Sequence, residues 1–249
     1  MYDSSILTER CPSGIPGFDD LCQGGFVRNS VNALLGGPGS GKTIFLMQFL
    51  YNGVAKHREN GLYISFEPDV LELFKDAMVF GWDMQKLDSQ NMVKFLRVSP
   101  LTDVDDLKKE LTKIISKFDI KRVCIDPISL FAASEKDDSK VRIMIFDLAS
   151  LLKRLNVTVL IADETATGGA EEIGIAASDV KSQYVKFLVD GLIDLHSSGL
   201  GGLSDRAVRI AKMRRTNHVR GPIPMEITQQ GINIIPENQG SGAKRGIFG

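Results

Sequence analysis

Eight consecutive residues, Gly36-Gly37-Pro38-Gly39-Ser40-Gly41-Lys42-Thr43, stand between a short apolar run at 29–35 and a stretch with apolar positions Ile44, Phe45, Leu46, Phe49 and Leu50. The run reads as a buried strand and the stretch as a helix that starts directly at Lys42. No other feature constrains the fold as tightly, because a loop of this spacing, GxxxxGK[ST], works only where a strand hands over to a helix N-terminus. Its glycines let backbone N–H groups turn inward around phosphate oxygens, and the helix adds its positive end. Lys42 then reaches the terminal phosphates and Thr43 ligates Mg²⁺. The implied ligand is a nucleoside triphosphate with Mg²⁺.

The same alternation continues along the chain. Residues 62–66 read as a strand, 70–80 as a helix ended by Gly81, 92–98 as a strand, 104–118 as a helix, and 122–126 as a strand. A helix over 139–155 precedes the apolar run 157–161. This pattern predicts an α/β fold with a mainly parallel sheet and helices on both faces. Beyond about 165 the style changes: a Gly/Ala/Ser/Glu-rich stretch at 167–182 reads as a mobile loop. Strand-like segments at 192–196, 208–213 and 225–227, with glycine turns at 199–202 and at Gly221, predict antiparallel hairpins that extend the sheet.

A chain of 249 residues can fold around one good-sized core. The expected division is a turn-rich N-terminal segment, 1–28, lying on the core, one domain over 29–236, and a Gly/Ser/Lys-rich disordered tail at 237–249. A net charge of −1 gives no electrostatic case for general nucleic-acid affinity. Cys11, Cys22 and Cys124 have no metal-type spacing, and their odd number argues against a disulfide framework. With no run of 18 apolar residues and no leader-like N-terminus, no membrane span is expected and the expected location is cytoplasmic.

Two carboxylates fall at predicted strand ends, on the carboxyl edge where ligands sit in an open parallel sheet. Asp126 closes the run Val123-Cys124-Ile125-Asp126 and is the candidate to hold the Mg²⁺ shell, with helix capping as the competing role. Glu67 follows the strand at 62–66 and is the candidate catalytic base for the water attacking the γ-phosphate. Its competing role is a cap on the helix that begins near Pro68. Asp163 and Glu164, after the last parallel strand, read equally as caps or as a sensor of the γ-phosphate.

Motifs over nearly the whole chain resemble the KaiC-like branch of the RecA/RadA ATPases. They are Ser13-Gly14-Ile15-Pro16-Gly17-Phe18-Asp19, the phosphate loop, Phe66-Glu67, Phe80-Gly81-Trp82-Asp83, the strand ending in Asp126, Asp190-Gly191-Leu192-Ile193, and Lys212-Met213-Arg214 through Thr216-Asn217-His218. The resemblance implies a RecA-like core with a single KaiC domain, ATP as the nucleotide, and head-to-tail assembly as a homo-oligomer, often a hexameric ring. It also implies that Lys212 and Arg214 meet the γ-phosphate side of the ATP bound by an adjacent protomer, with Met213 between them in the same nucleotide-binding stretch. Thr216 and His218 would line the nucleoside pocket there. On residues alone, Lys212 and Arg214 share a strand face, and the cluster with Arg215 and Arg220 also reads as a solvated edge strand or a nucleic-acid contact.

The match departs from the family at two places. The paired glutamates of the two-domain clock member are reduced here to Glu67 followed by Pro68, which leaves the hydrolysis rate open. Where that member carries its phosphorylated Ser-Thr pair, this chain has Lys186-Phe187-Leu188-Val189, so a clock-type autokinase cycle is not implied. The functional expectation is a slow Mg-ATPase switch that reports to an unidentified protein partner. The competing readings are an ATP-stabilised binding module with little turnover and a DNA-associated recombinase paralogue. The acidic residues Asp163, Glu164, Glu171 and Glu172 in and before the long loop disfavour the paralogue. Trp82 is read as packing, His57 as a solvated helix end, His196 as no metal ligand, and Asp103, Asp105 and Asp106 as a helix start.

Overall fold

A computed structural model describes residues 9–67, 69–131, 135–164, 185–199 and 205–235. The mobile loop expected at 167–182 and the tail expected at 237–249 lie outside these residues.

A nine-stranded sheet organises the chain. In chain order its strands are β3 (Val31–Gly36), β4 (Asn60–Ser65), β5 (Val93–Arg97), β6 (Ile120–Asp126), β7 (Thr158–Glu164), β8 (Gly191–Ser197), β9 (Arg206–Met213), β10 (Pro222–Thr228) and β11 (Gly231–Ile234). In space they run β11-β10-β9-β8-β3-β7-β6-β4-β5. Strands β8, β3, β7, β6, β4 and β5 pair in parallel, while β9, β10 and β11 pair antiparallel at one side. The expected α/β class and C-terminal antiparallel hairpins are therefore present. β8, however, first joins the parallel set beside β3, with Asn32 opposite Gly191, and only then turns back into β9.

Helices cover both faces, so the central strands are buried on both sides and read as continuous apolar runs. Strand alternation divides the core in two. Leu34, Tyr63, Cys124 and Leu160 pack under α2 (Lys42–His57), α3 (Val70–Met78) and α4 (Met84–Ser89). Val31, Ala33, Leu62, Val123 and Val159 pack under α5 (Val104–Lys117) and α6 (Asp138–Arg154). Asp caps start four of these helices: Asp69 accepts from Leu71 N–H, Asp83 from Lys86 N–H, Asp103 from Asp105 and Asp106 N–H, and Asp137 from Ser139 N–H. Trp82 is buried between Tyr51 and Phe80, both stacked on it. Its ring packs between them.

The N-terminal segment contains a two-stranded sheet, β1 (Arg10–Cys11) with β2 (Phe26–Val27), and the short helix α1 (Phe18–Leu21). Its Ile15, Phe18, Leu21 and Phe26 side chains are buried in the α2-side core. A charged knot fixes it from below. Arg122 of β6 is fully buried, its guanidinium 2.7 Å from Glu59 Oε2 and stacked over Phe49, and Arg28 pairs with Glu59 Oε1 at 2.7 Å. Replacing Glu59 by Ala leaves that buried guanidinium without its counter-charge and should cost about 3 kcal/mol, read as a lowered urea midpoint. Burial works to raise the Glu59 carboxyl, but the Arg28 hydrogen bond and the Arg122 charge outweigh it and hold it below its ordinary 4.5. A carboxyl depressed by folding contributes stability above its ordinary value and loses it as pH falls through the folded-state value. The wild-type midpoint should thus drop below about pH 4.5, and more steeply than that of Glu59→Gln.

Among the described residues, no helix is long and apolar enough to cross a membrane. The three cysteines are buried and unpaired, and burial pushes the Cys11 thiol up to about 11 and the Cys22 thiol to about 12.

Candidate functional site

The loop 36–43 leaves the carboxyl end of β3, the central strand, and enters α2. Gly39 and Gly41 take left-handed conformations, with φ of 71° and 101°, which side-chain-bearing residues adopt at a cost. They turn the chain so that it wraps the start of α2, whose first N–H groups have no intrahelical acceptor. Lys42 is buried, and its ammonium donates to Gly36 O at 2.9 Å and Gly37 O at 3.1 Å, across the mouth of the loop. Ser40 Oγ is buried without a hydrogen-bond partner among the described residues. A curled loop with its cation and an orphaned hydroxyl fits a polyphosphate.

Alternation along two neighbouring strands builds the cation corner. Tyr63 of β4 lies opposite Cys124 of β6, and Asp126 falls two residues further on the same face, toward α2. Asp126 Oδ2 accepts from Thr43 Oγ1 at 2.9 Å and from the Tyr63 hydroxyl at 2.6 Å. Burial, and then the Asp126 charge, push the Tyr63 hydroxyl well above its usual range, so it stays a donor. A carboxylate and a hydroxyl converging at the loop are hard oxygen donors of the kind Mg²⁺ takes alongside phosphate oxygens. Thr43 and Asp126 are therefore the residues that would hold it.

Glu67 stands exposed just past β4, whose Ser65 is level with Asp126, so it shares the carboxyl edge with the loop. Asp163, buried at the end of β7, turns its Oδ1 to the Glu164 N–H at 3.0 Å.

The structure does not bring the second predicted group to this edge. β9 runs antiparallel to β8, which places Arg206 opposite Ser197 at the loop end and Met213 opposite Gly191 at the far end. Arg214 N–H donates to Asp190 O, and Asp190 N–H to Val31 O, so Arg214 is level with the start of β3. β3 separates that level from the loop by five residues, about 17 Å at the usual strand rise. Lys212 lies there too, donating to Val189 O at 2.7 Å, and burial followed by the Arg214 charge pulls its ammonium below the ordinary range. Met213 is buried in the core, Thr216 Oγ1 accepts from Arg10 at 2.7 Å, and His218 Nδ1 stands 3.0 Å from Val219 O. All five predicted residues sit away from their own chain's loop.

Three features of the site escape sequence reasoning. Arg206 Nη1 donates to Gly39 O at 2.7 Å, so a cation does reach the loop from β9, six residues before Lys212. Tyr63 completes the Asp126 corner. An apolar cleft of about 260 Å³ opens beside Thr43, lined by Ile44, Met47, Val79, Phe80 and Trp82. Only the cleft had a local signal, the Phe80-Gly81-Trp82 turn.

A parallel sheet with a phosphate loop on its central strand, a carboxylate on a neighbouring strand end and antiparallel strands beyond defines a RecA-like P-loop NTPase. Comparison narrows this further. The family described as "ATPase: KaiC" matches residues 11–239, and the chain belongs to it. Circadian clock oscillator protein KaiC of Parathermosynechococcus lividus is 33% identical over 234 residues, 90% of this chain and 42% of that protein. The KaiC of Thermostichus vulcanus is 34% identical over 242 residues, 94% of this chain and 45% of that protein. The chain thus spans less than half of these relatives. The crystal structure of a KaiC-like protein from Pyrococcus horikoshii OT3 superposes with a TM-score of 0.80 at 30% identity, covering 92% of this chain and all of that one.

Proposed function

We propose that the chain is a slow Mg-ATPase that works as an oligomeric switch, with each ATP held between two copies. One observation carries the reading: Lys212 and Arg214 lie a strand's length from their own phosphate loop, so any nucleotide they touch belongs to a neighbour. A head-to-tail contact places the far end of one sheet against the loop edge of the next, and such contacts close into rings when the rotation permits.

Within one copy, the loop and the α2 N-terminus bind the phosphates, Lys42 turns from the Gly36 and Gly37 carbonyls to phosphate oxygens, and Arg206 stands at the loop tip. The apolar cleft beside Thr43 receives the base, with Phe80 offering an aromatic wall. This moves the nucleoside contact mainly into the same chain, with Thr216 and His218 approaching from the neighbour. Thr43 and Asp126 would hold Mg²⁺, which would supply neutralisation of the phosphate charge. Glu67 orients and deprotonates the attacking water, while Lys212 and Arg214 of the adjacent copy stabilise the charge that builds on the transferring group. Turnover therefore reports subunit contact, which is the property a switch read by a protein partner requires.

The binding half is tested by Lys42→Ala. Titration with a fluorescent ATP analogue and Mg²⁺ should show affinity lowered about 100-fold, since a charge-assisted contact to two phosphates is lost. Affinity within threefold of wild type would remove the loop from the account.

A further inference from the structure

The far end of the sheet holds a buried carboxylate with more cations around it than it can neutralise. Asp190 is 6% exposed, and its Oδ2 accepts from Val31 N–H at 3.0 Å and pairs with Lys153 Nζ at 2.7 Å. Its Oδ1 stands 4.0 Å from Arg214 Nη1, and the Arg214 side chain is 57% exposed. Lys212 turns to the Val189 carbonyl instead. The short contacts thus go to Lys153 of α6 and to the first residue of β3, and only the loose one goes to Arg214.

This partition has a physical reason. A buried carboxylate left without a close cation is costly, and it captures whatever cation lies in reach. Lys153 meets that need from the side away from Oδ1, so Arg214 is attracted but not closed upon. Among the described residues, three cations, Lys153, Lys212 and Arg214, surround this one carboxylate, a positive excess of the kind a polyphosphate requires. The same carboxylate holds the start of β3, the strand that ends in the phosphate loop.

We propose that Lys153 and Asp190 are a positioning pair: Lys153 neutralises Asp190 so that Arg214 stays extended toward the nucleotide bound by a neighbouring copy. The proposal rests on the shared-site reading given above. In it, loss of Lys153 acts through Arg214, which folds back onto Asp190 and leaves the neighbour's phosphates.

The test is the release rate of a fluorescent, non-hydrolysable ATP analogue from the Mg²⁺-loaded assembled protein, with the melting temperature measured without nucleotide as a folding control. Arg214→Ala and Lys153→Met should each release about tenfold faster than wild type, the loss of one charge-assisted phosphate contact. Lys153→Arg should stay within twofold. The double variant Lys153→Met/Asp190→Asn should recover to within twofold, because no buried charge remains to capture Arg214. Asp190→Asn alone, which still accepts from Val31 N–H, should release no faster than wild type, a result that fast release would contradict even where Lys153→Met does not fold. Wild-type release from Lys153→Met beside fast release from Arg214→Ala would overturn the pair and spare the shared site. Fast release from Asp190→Asn, or no recovery in the folded double variant, would also overturn the pair. Wild-type release from Arg214→Ala would overturn both.

Discussion

Arg214→Ala is expected to lower steady-state phosphate release from Mg-ATP by about 10³-fold, the scale on which an arginine supplied across an interface stabilises phosphoryl transfer. The side chain is more than half exposed, and the carboxylate it meets among the described residues, Asp190, is 4.0 Å away, so the described fold does not depend on it. Assembly measured by light scattering and the nucleotide-free melting temperature should therefore be unchanged. The loss would come from a residue about 17 Å from its own chain's phosphate loop, as judged by the five residues of β3 that intervene. A drop below tenfold would place the transition-state charge elsewhere.

Glu67→Gln should reduce phosphate release by 10²- to 10³-fold, roughly the contribution of a positioned general base. Its affinity for the ATP analogue should stay within about threefold, since the substitution keeps the shape of an exposed side chain beside the phosphate loop. Glu67 is followed by Pro68 rather than by a second carboxylate. The next carboxylate in sequence, Asp69, is engaged as the cap of α3, accepting from Leu71 N–H, so the effect should be large. Unchanged turnover would show that the base is another residue.

These two residues illustrate how differently parts of the site are legible in sequence. The strand, glycine loop and helix around Lys42 are contiguous, and their chemistry is written in a fixed spacing. Asp126 and Glu67 follow from one more rule, that the ends of parallel strands share an edge. The alternation of apolar runs and amphipathic helices likewise makes the α/β class readable up to β7. Past that point local period is silent about partners. β8 has the same apolar character whether it pairs parallel or antiparallel, and its place beside β3 is decided by contacts with residues some 160 positions earlier, such as Asp190 with Val31.

The same limit hides Arg206, whose bond to Gly39 spans 167 positions, and Tyr63, whose hydroxyl acquires meaning only when β4 lies against β6. β11 is too short for a period to declare it, and β1 with β2 is a two-residue ladder. The family resemblance drew attention to Lys212 and Arg214. The sheet topology supplied what the resemblance could not, the physical distance between these cations and their own loop.

That distance makes the shared site testable with two inactive proteins. Lys42→Ala chains lack the phosphate contact but keep Arg214, and Arg214→Ala chains keep the loop but lack the cation. Each alone should release phosphate at background. Mixed one to one and allowed to reassemble with Mg-ATP, about a quarter of random head-to-tail interfaces combine an intact loop with an intact Arg214, so release should recover to about a quarter of wild type. Release that stays at background in co-assembled oligomers would contradict a nucleotide site built from two chains.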